Sequence, residues 1–187
     1  MTLPLFNIAD TPDSGAREKA ERLHGVARAL QTRLAAPRSV TRSLLKGLMA
    51  EAFGGSDADG HWSMRDAYDA LEAAQALDML SLSDDHSQDC APEDAFPAIL
   101  AFEKALPTQT YRSEHQVEMQ QFSTPAALGW LAARVAMITV DDYVLEPSAG
   151  TGMLAARAIA TGAAVTLNER DPCRAALLTL VTNSDVT

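Results

Sequence analysis

The chain has 187 residues, of which 47% are hydrophobic and 21% charged, with a net charge of −10. That is room for one domain, or two small ones, around a packed core, and it excludes a disordered, collagenous or disulfide-stapled chain. No apolar run approaches the ~20 residues needed to cross a bilayer, and residues 1–10 have no basic segment and too short an apolar stretch for a signal peptide. Cys90 and Cys173 have no CxxC partner and read as reduced cytoplasmic thiols.

Residues 1–13 read as a tail. From there the apolar positions Ala16, Ala20, Leu23, Ala27, Leu30 and Leu34 recur at helical steps and predict a helix over residues 14–34, broken by Pro37. A second helix is predicted over residues 40–53, closed by Gly54 and Gly55. Residues 54–60 form a loop that looks a little like a calcium loop but lacks its third spaced acid and distal Glu. A third helix, with Ser63 as its cap, runs to Leu80 with Ala67, Leu71, Ala74 and Leu77 on one side. The stripe Met64, Tyr68 and Leu71 reads as core. The polar run over residues 81–94 reads as a linker, and a fourth helix over residues 92–106 ends at Pro107. Residues 14–106 are thus expected to be an all-helical module.

After Pro107 the pattern changes. Thr124 as cap and Pro125 as first residue start a helix with Leu128, Leu131, Val135 and Ile138 on one face. A strand at Tyr143, Val144 and Leu145, a helix over residues 153–160, a strand over residues 164–167 and a helix over residues 172–180 follow. Strands alternating with helices predict a parallel sheet, so residues 107–187 are expected to be an α/β portion. The fold class expected for the whole is mixed, a helical module followed by an incomplete Rossmann-like unit.

Charge is unevenly placed. Residues 1–50 carry eight Lys or Arg against four acids, residues 51–120 three against fifteen, and residues 121–187 four against six. An acidic chain does not grip nucleic acid by charge alone. Its one basic stretch is Arg17, Lys19, Arg22, Arg28, Arg33, Arg38, Arg42 and Lys46, which reads as a solvated face, with phosphate contact as the alternative. His24, His61, His86 and His115 have no metal-ligand spacing, and Trp62 and Trp130 read as packing residues.

The segment that carries chemistry is Glu146-Pro147-Ser148-Ala149-Gly150-Thr151-Gly152, between the first strand and its helix. Glycines there let backbone amides approach a ligand at the carboxyl end of the sheet. Asn168 and Glu169 follow the second strand, where a carboxylate accepts from both hydroxyls of a ribose. A P-loop is excluded because Met153 stands where its Lys belongs. Gly150 to Ala155 fits the dinucleotide fingerprint G-x-G-x-x-A, but the acid Glu146 beside the turn would repel a pyrophosphate. S-adenosylmethionine carries an ammonium and a sulfonium instead, so the same carboxylate favours it. A turn with no ligand is the plain alternative. Upstream, the helix start after Gln120-Gln121-Phe122-Ser123-Thr124-Pro125 offers amides and a dipole to the cofactor's carboxylate.

QFSTP followed by VLEPSAGTG and then an acid resembles the amino-methyltransferases of DNA, of the adenine-modifying type. The resemblance implies that Phe122, Thr124 and Pro125 border the methionine end of S-adenosylmethionine. It also implies that Glu146 and Gly150 to Gly152 line the cofactor, with Pro147, Ser148, Ala149 and Asn168 beside them, and that Glu169 holds the ribose. Residues 53–80 and 106–125 are similar to the N-terminal portion of bacterial strawberry-notch-like proteins, large helicase and methyltransferase-like polypeptides often carried by mobile elements. The (Asp or Asn)-Pro-Pro-aromatic motif of the adenine-modifying amino-methyltransferases, which holds the target amine and stacks the flipped base, does not occur here, and Asp171-Pro172-Cys173 is not a version of it. The expectation is therefore the front portion of a longer protein, or a truncated relative, with no catalytic residue and no metal site of its own. Its partner would be DNA, reached through the longer protein. The competing expectation is a non-catalytic binding protein of a mobile element, whose acidic middle occupies a basic, nucleic-acid-binding surface on a partner protein, conceivably against host defence.

Overall fold

The computed structural model describes residues 14–81, 92–108 and 122–187. The expected tail, most of the expected linker, Cys90, His86, His115, Gln120 and Gln121 lie outside the described residues. Within them the chain is mostly helical, with one small parallel sheet, a mixed α/β arrangement as the alternation of elements predicts.

Helix α1 (Ser14–Gln31) buries Ala20, Leu23, Val26, Ala27 and Leu30 along one stripe. Helix α2 (Arg42–Phe53) begins later than its apolar pattern, because Thr41 takes the cap position and its hydroxyl accepts from Leu44 N–H at 3.2 Å. It ends at Gly54, whose φ of 73° is the left-handed turn that glycine adopts without strain. Helix α3 (Met64–Ser81) starts at the expected cap. Ser63 Oγ accepts from Asp66 N–H at 3.3 Å, and Asp66 Oδ2 accepts from Ser63 N–H at 2.9 Å, a reciprocal box. The sequence puts one apolar side on α3, whereas the structure buries Ala70, Ala73 and Ala76 as well. These small side chains let helices approach from several directions, and α3 packs against α1, α2 and two later helices. Helix α4 (Pro92–Ala105) ends before Pro107, as expected.

Helix α5 (Ala126–Ala136) departs from expectation in two ways. Pro125 has an extended ψ of 142° and stands at the cap position rather than inside the helix, and Thr124 provides no side-chain cap. The expected apolar face is also turned outward, with Leu128 50% and Val135 72% exposed. The buried face is Ala126, Ala127, Gly129 and Trp130. Gly129 explains the choice: a Cβ there would stand 3.0 Å from the carbonyl oxygen of Met153, so the small-residue face allows the closer approach.

Strands β1 (Tyr143–Glu146) and β2 (Ala164–Leu167) pair in parallel, with Tyr143 opposite Ala164 and Glu146 opposite Leu167. On the far side of β2, Leu167 makes an isolated parallel bridge to Val186. The connecting helix α6 (Ala155–Ala160) begins two residues later than predicted, and α7 (Pro172–Thr182) runs two residues further. Val165 and Leu167 on one sheet face pack with Ala155, Ile159 and Leu178 of α6 and α7. Those two helices in turn meet α3, and α7 also meets α1. The result is three layers: sheet, α6 with α7, then α1 with α3. The main core crosses residue 107, joining Leu23, Leu30 and Leu71 to Trp130, Met153, Leu177 and Val181.

Candidate functional site

A cavity of about 390 Å³ opens at the carboxyl ends of the two strands. Three segments border it: Phe122, Ser123 and Thr124 before α5; Pro147 to Thr151, with Met153 and Leu154, after β1; and Asn168, Glu169, Arg170 and Arg174 after β2. Of the residues singled out from sequence, Phe122, Thr124, Pro147, Ser148, Ala149, Gly150, Asn168 and Glu169 line it. Pro125, Glu146 and Gly152 are not among the lining residues.

The geometry of the turn explains the exceptions. Glu146 folds back on its own turn, where Oε1 accepts from Ser148 N–H at 3.1 Å. Gly152 has a φ of 97°, and a Cβ on it would stand 2.9 Å from Leu178 Cδ1, so this glycine serves the packing of the turn on α7. Gly150, at φ 58°, faces the cavity. Its N–H donates to Glu169 Oε2 at 2.9 Å, while Glu169 Oε1 accepts from Asp171 N–H at 2.8 Å. Each carboxylate oxygen keeps a second lone pair, so Glu169 is held in place and still has acceptor capacity. Asn168 ties the two turns together, its Nδ2 donating to Pro147 O at 2.8 Å and its carbonyl accepting from Ala149 N–H at 2.9 Å. Gly152 N–H donates to Ala149 O at 2.8 Å. The amides of Ser148, Ala149, Gly150 and Gly152 are therefore all engaged inside the protein. A pyrophosphate, which needs free amides at such a turn, finds few.

The start of α5 is likewise engaged. Ala127 N–H donates to the Glu103 carboxylate at 3.2 Å, so an anion of the protein already stands at this helix end. Asp171 caps α7, accepting from Cys173 N–H at 3.0 Å and Arg174 N–H at 3.1 Å. That is the role of the Asp-Pro-Cys sequence. Burial raises the Cys173 thiol to about 11, which makes it a poor nucleophile.

Beneath the cavity lies a charged layer that the sequence did not reveal. Arg65 Nη2 meets Asp171 at 2.8 Å and its Nε lies 3.6 Å from Asp69. Arg174 Nε lies 3.5 Å from the same Asp69, and Lys19 meets Asp66 at 2.7 Å. Glu72, one turn along α3, accepts from Ser123 Oγ and from Thr151 Oγ1. Burial raises its pKa, while those hydroxyls and the charge of Arg174 work against the rise. Glu72 thus joins the QFSTP segment to the glycine turn from below. Spacing along α3, with acids at 66, 69 and 72, was the one available signal. These buried acids are not available to a partner's basic surface. Of the other acids in residues 51–120, Glu51 and Asp59 are exposed, while Asp84, Asp85, Asp89, Glu114 and Glu118 lie outside the described residues.

Much of the basic stretch is internally satisfied. Arg17 pairs with Glu21 at 3.2 Å, Arg22 with Glu18 at 2.7 Å and Lys46 with Asp57 at 2.7 Å. Arg42 donates to the Tyr68 hydroxyl at 3.2 Å and to Thr108 O at 3.1 Å. Trp62 and Trp130 are buried, and Trp62 Nε1 donates to Gly55 O at 2.8 Å. Among the described residues no group of three or more His, Cys, Asp or Glu could hold a metal ion. Nor is any helix among them long and apolar enough to cross a membrane. Comparison with known family models, curated proteins and solved structures finds no match to this chain.

Proposed function

We propose that this chain is an S-adenosylmethionine-binding unit of the DNA amino-methyltransferase type, built on the opening β-α-β-α of a Rossmann-like sheet. The observation that carries the reading is the meeting of three separate segments, around Phe122, Gly150 and Glu169, at one cavity of about 390 Å³. That volume suits a nucleoside-sized ligand. In this reading Glu169 accepts from the ribose hydroxyls, Gly150 allows close approach, and the Phe122 to Thr124 segment closes the other side, all three lining the cavity. The engaged amides of the turn favour a ligand without phosphate there. No catalytic residue is assigned. DNA is the partner that the resemblance implies, and transfer would need the target amine held in line with the cofactor's methyl group.

Titration calorimetry with S-adenosylmethionine tests the reading. Binding by the parent and a loss of ~1.5–3 kcal/mol in Glu169→Gln is the expected result, since each ribose hydroxyl loses a charged acceptor. Equal affinities for parent and variant would remove Glu169 from the site.

A further inference from the structure

We infer that Arg174 recognises an anionic group on the ligand of this cavity. The inference rests on the cofactor reading above, where that group is the carboxylate of the amino-acid moiety.

Arg174 lies in the first turn of α7, is only 5% exposed and lines the cavity. Asp69 and Glu72 both stand against its charge, but its hydrogen bonding is incomplete. Nε is buried without a hydrogen-bond partner among the described residues. Asp69, the acid paired with it, stands 3.5 Å away and is shared with Arg65 at 3.6 Å. A buried guanidinium left short of acceptors is costly, and a bound anion would supply them, two at once if it is a carboxylate. Gly150 keeps the way open: a Cβ there would stand 2.8 Å from Arg174 Nη2, so the absence of a side chain lets the guanidinium reach the cavity edge.

Several alternative anion positions are taken. The amide at the start of α5 is bonded to Glu103, and the amides of the glycine turn are bonded to Glu146, Asn168, Glu169 and Ala149. Arg170 also lines the cavity, but it is exposed to solvent at the rim, where water screens its charge.

The test compares S-adenosylhomocysteine with 5′-methylthioadenosine, which has the same base, ribose and thioether but no carboxylate, and with ADP. Calorimetry is run on the parent, Arg174→Gln, Arg174→Lys and the double variant Asp69→Asn/Arg174→Gln. The double variant removes the charge of Asp69 together with the guanidinium and keeps Glu72 beside position 174, so a melting curve on each variant separates binding from folding. The expected result is a loss of about 10-fold or more for S-adenosylhomocysteine in both Gln variants, partial recovery in Arg174→Lys, and unchanged affinity for 5′-methylthioadenosine. Equal losses for both adenosine compounds, or no loss for either, would overturn the role of Arg174 and leave the cofactor reading standing. Failure of the parent to bind either compound would overturn the cofactor reading and this inference together. Binding of ADP alone, lost in Arg174→Gln, would keep Arg174 as an anion receptor with phosphate as the source, and would overturn the cofactor reading.

Discussion

Asp69 lies between Arg65 and Arg174 at the heart of the charged layer, and burial raises its carboxyl to about 7, against 3.8 as its ordinary value. Arg174 pulls it down, Glu72 pushes it up, Arg65 pulls it down and Asp66 pushes it up. Between the two values the folded chain holds a proton that the unfolded chain has released. Stability therefore falls as pH rises through that window and levels off above about 7. Glu72, raised for the same first reason, adds a slope of the same sign. His24, lowered by burial and by Arg28, contributes the opposite slope, so the test is a comparison: urea unfolding at ~pH 5 and ~pH 8 should show the parent losing more stability with rising pH than Asp69→Asn does. An unchanged difference would place the proton elsewhere. The position of Glu169 at the cavity was legible in the sequence, because an acid directly after a second strand has a position that its neighbours define. Arg174 was not, because its importance depends on Gly150 and Asp69, which only the fold brings to it. Glu146 was legible as a residue of the turn, but not the bond by which its carboxylate accepts from Ser148 N–H.

At the scale of elements, periodicity located the described helices and both strands to within three residues, the first helix ending at Gln31 rather than residue 34, since turn residues such as Gly54 and capping residues such as Ser63 act locally. It was less informative about which face is covered. Along α5, Leu128, Leu131 and Val135 form the more apolar stripe, yet Ala126, Ala127, Gly129 and Trp130 are the buried set. Close packing on the Met153 turn selected small side chains, and hydropathy does not register that preference. The sheet shows the same asymmetry. Val144, Val165 and Leu167 turn toward the helices, whereas Tyr143 is 93% and Leu145 66% exposed. Uncovered apolar faces of this kind promote association. Light scattering should show the chain self-associating as concentration rises. Val135→Lys with Tyr143→Lys should suppress this without lowering the melting temperature, since neither side chain has much burial to lose. A parent that stays monomeric over the accessible concentration range would refute the prediction.

At the scale of the molecule, composition divides the chain near residue 107, with a helical grammar before and strands after, but the buried residues do not divide there. Leu23, Leu30 and Leu71 share one core with Trp130, Met153, Leu177 and Val181, and α3 meets α6 and α7 directly. Arg65 on α3 also pairs with Asp171 at the start of α7, and Asp69 with Arg174. Those contacts link residues far apart in sequence and leave no local pattern by which they could be read. They also couple the cavity to the helical region, because Glu72 of α3 is bonded to Ser123 and Thr151 at its floor. Shared core and shared ion pairs predict one cooperative unfolding transition. The two tryptophans make this measurable: Trp62 is buried in the helical region, at the entry to α3, and Trp130 is buried on α5, beyond residue 107. Single-tryptophan variants, Trp62→Phe and Trp130→Phe, should unfold in urea with fluorescence transitions that coincide with the loss of helix followed by circular dichroism. If the Trp130 signal is lost at clearly lower urea than the Trp62 signal, the α/β portion unfolds independently. In that case the contacts between α3 and α7 contribute little to holding the cavity together.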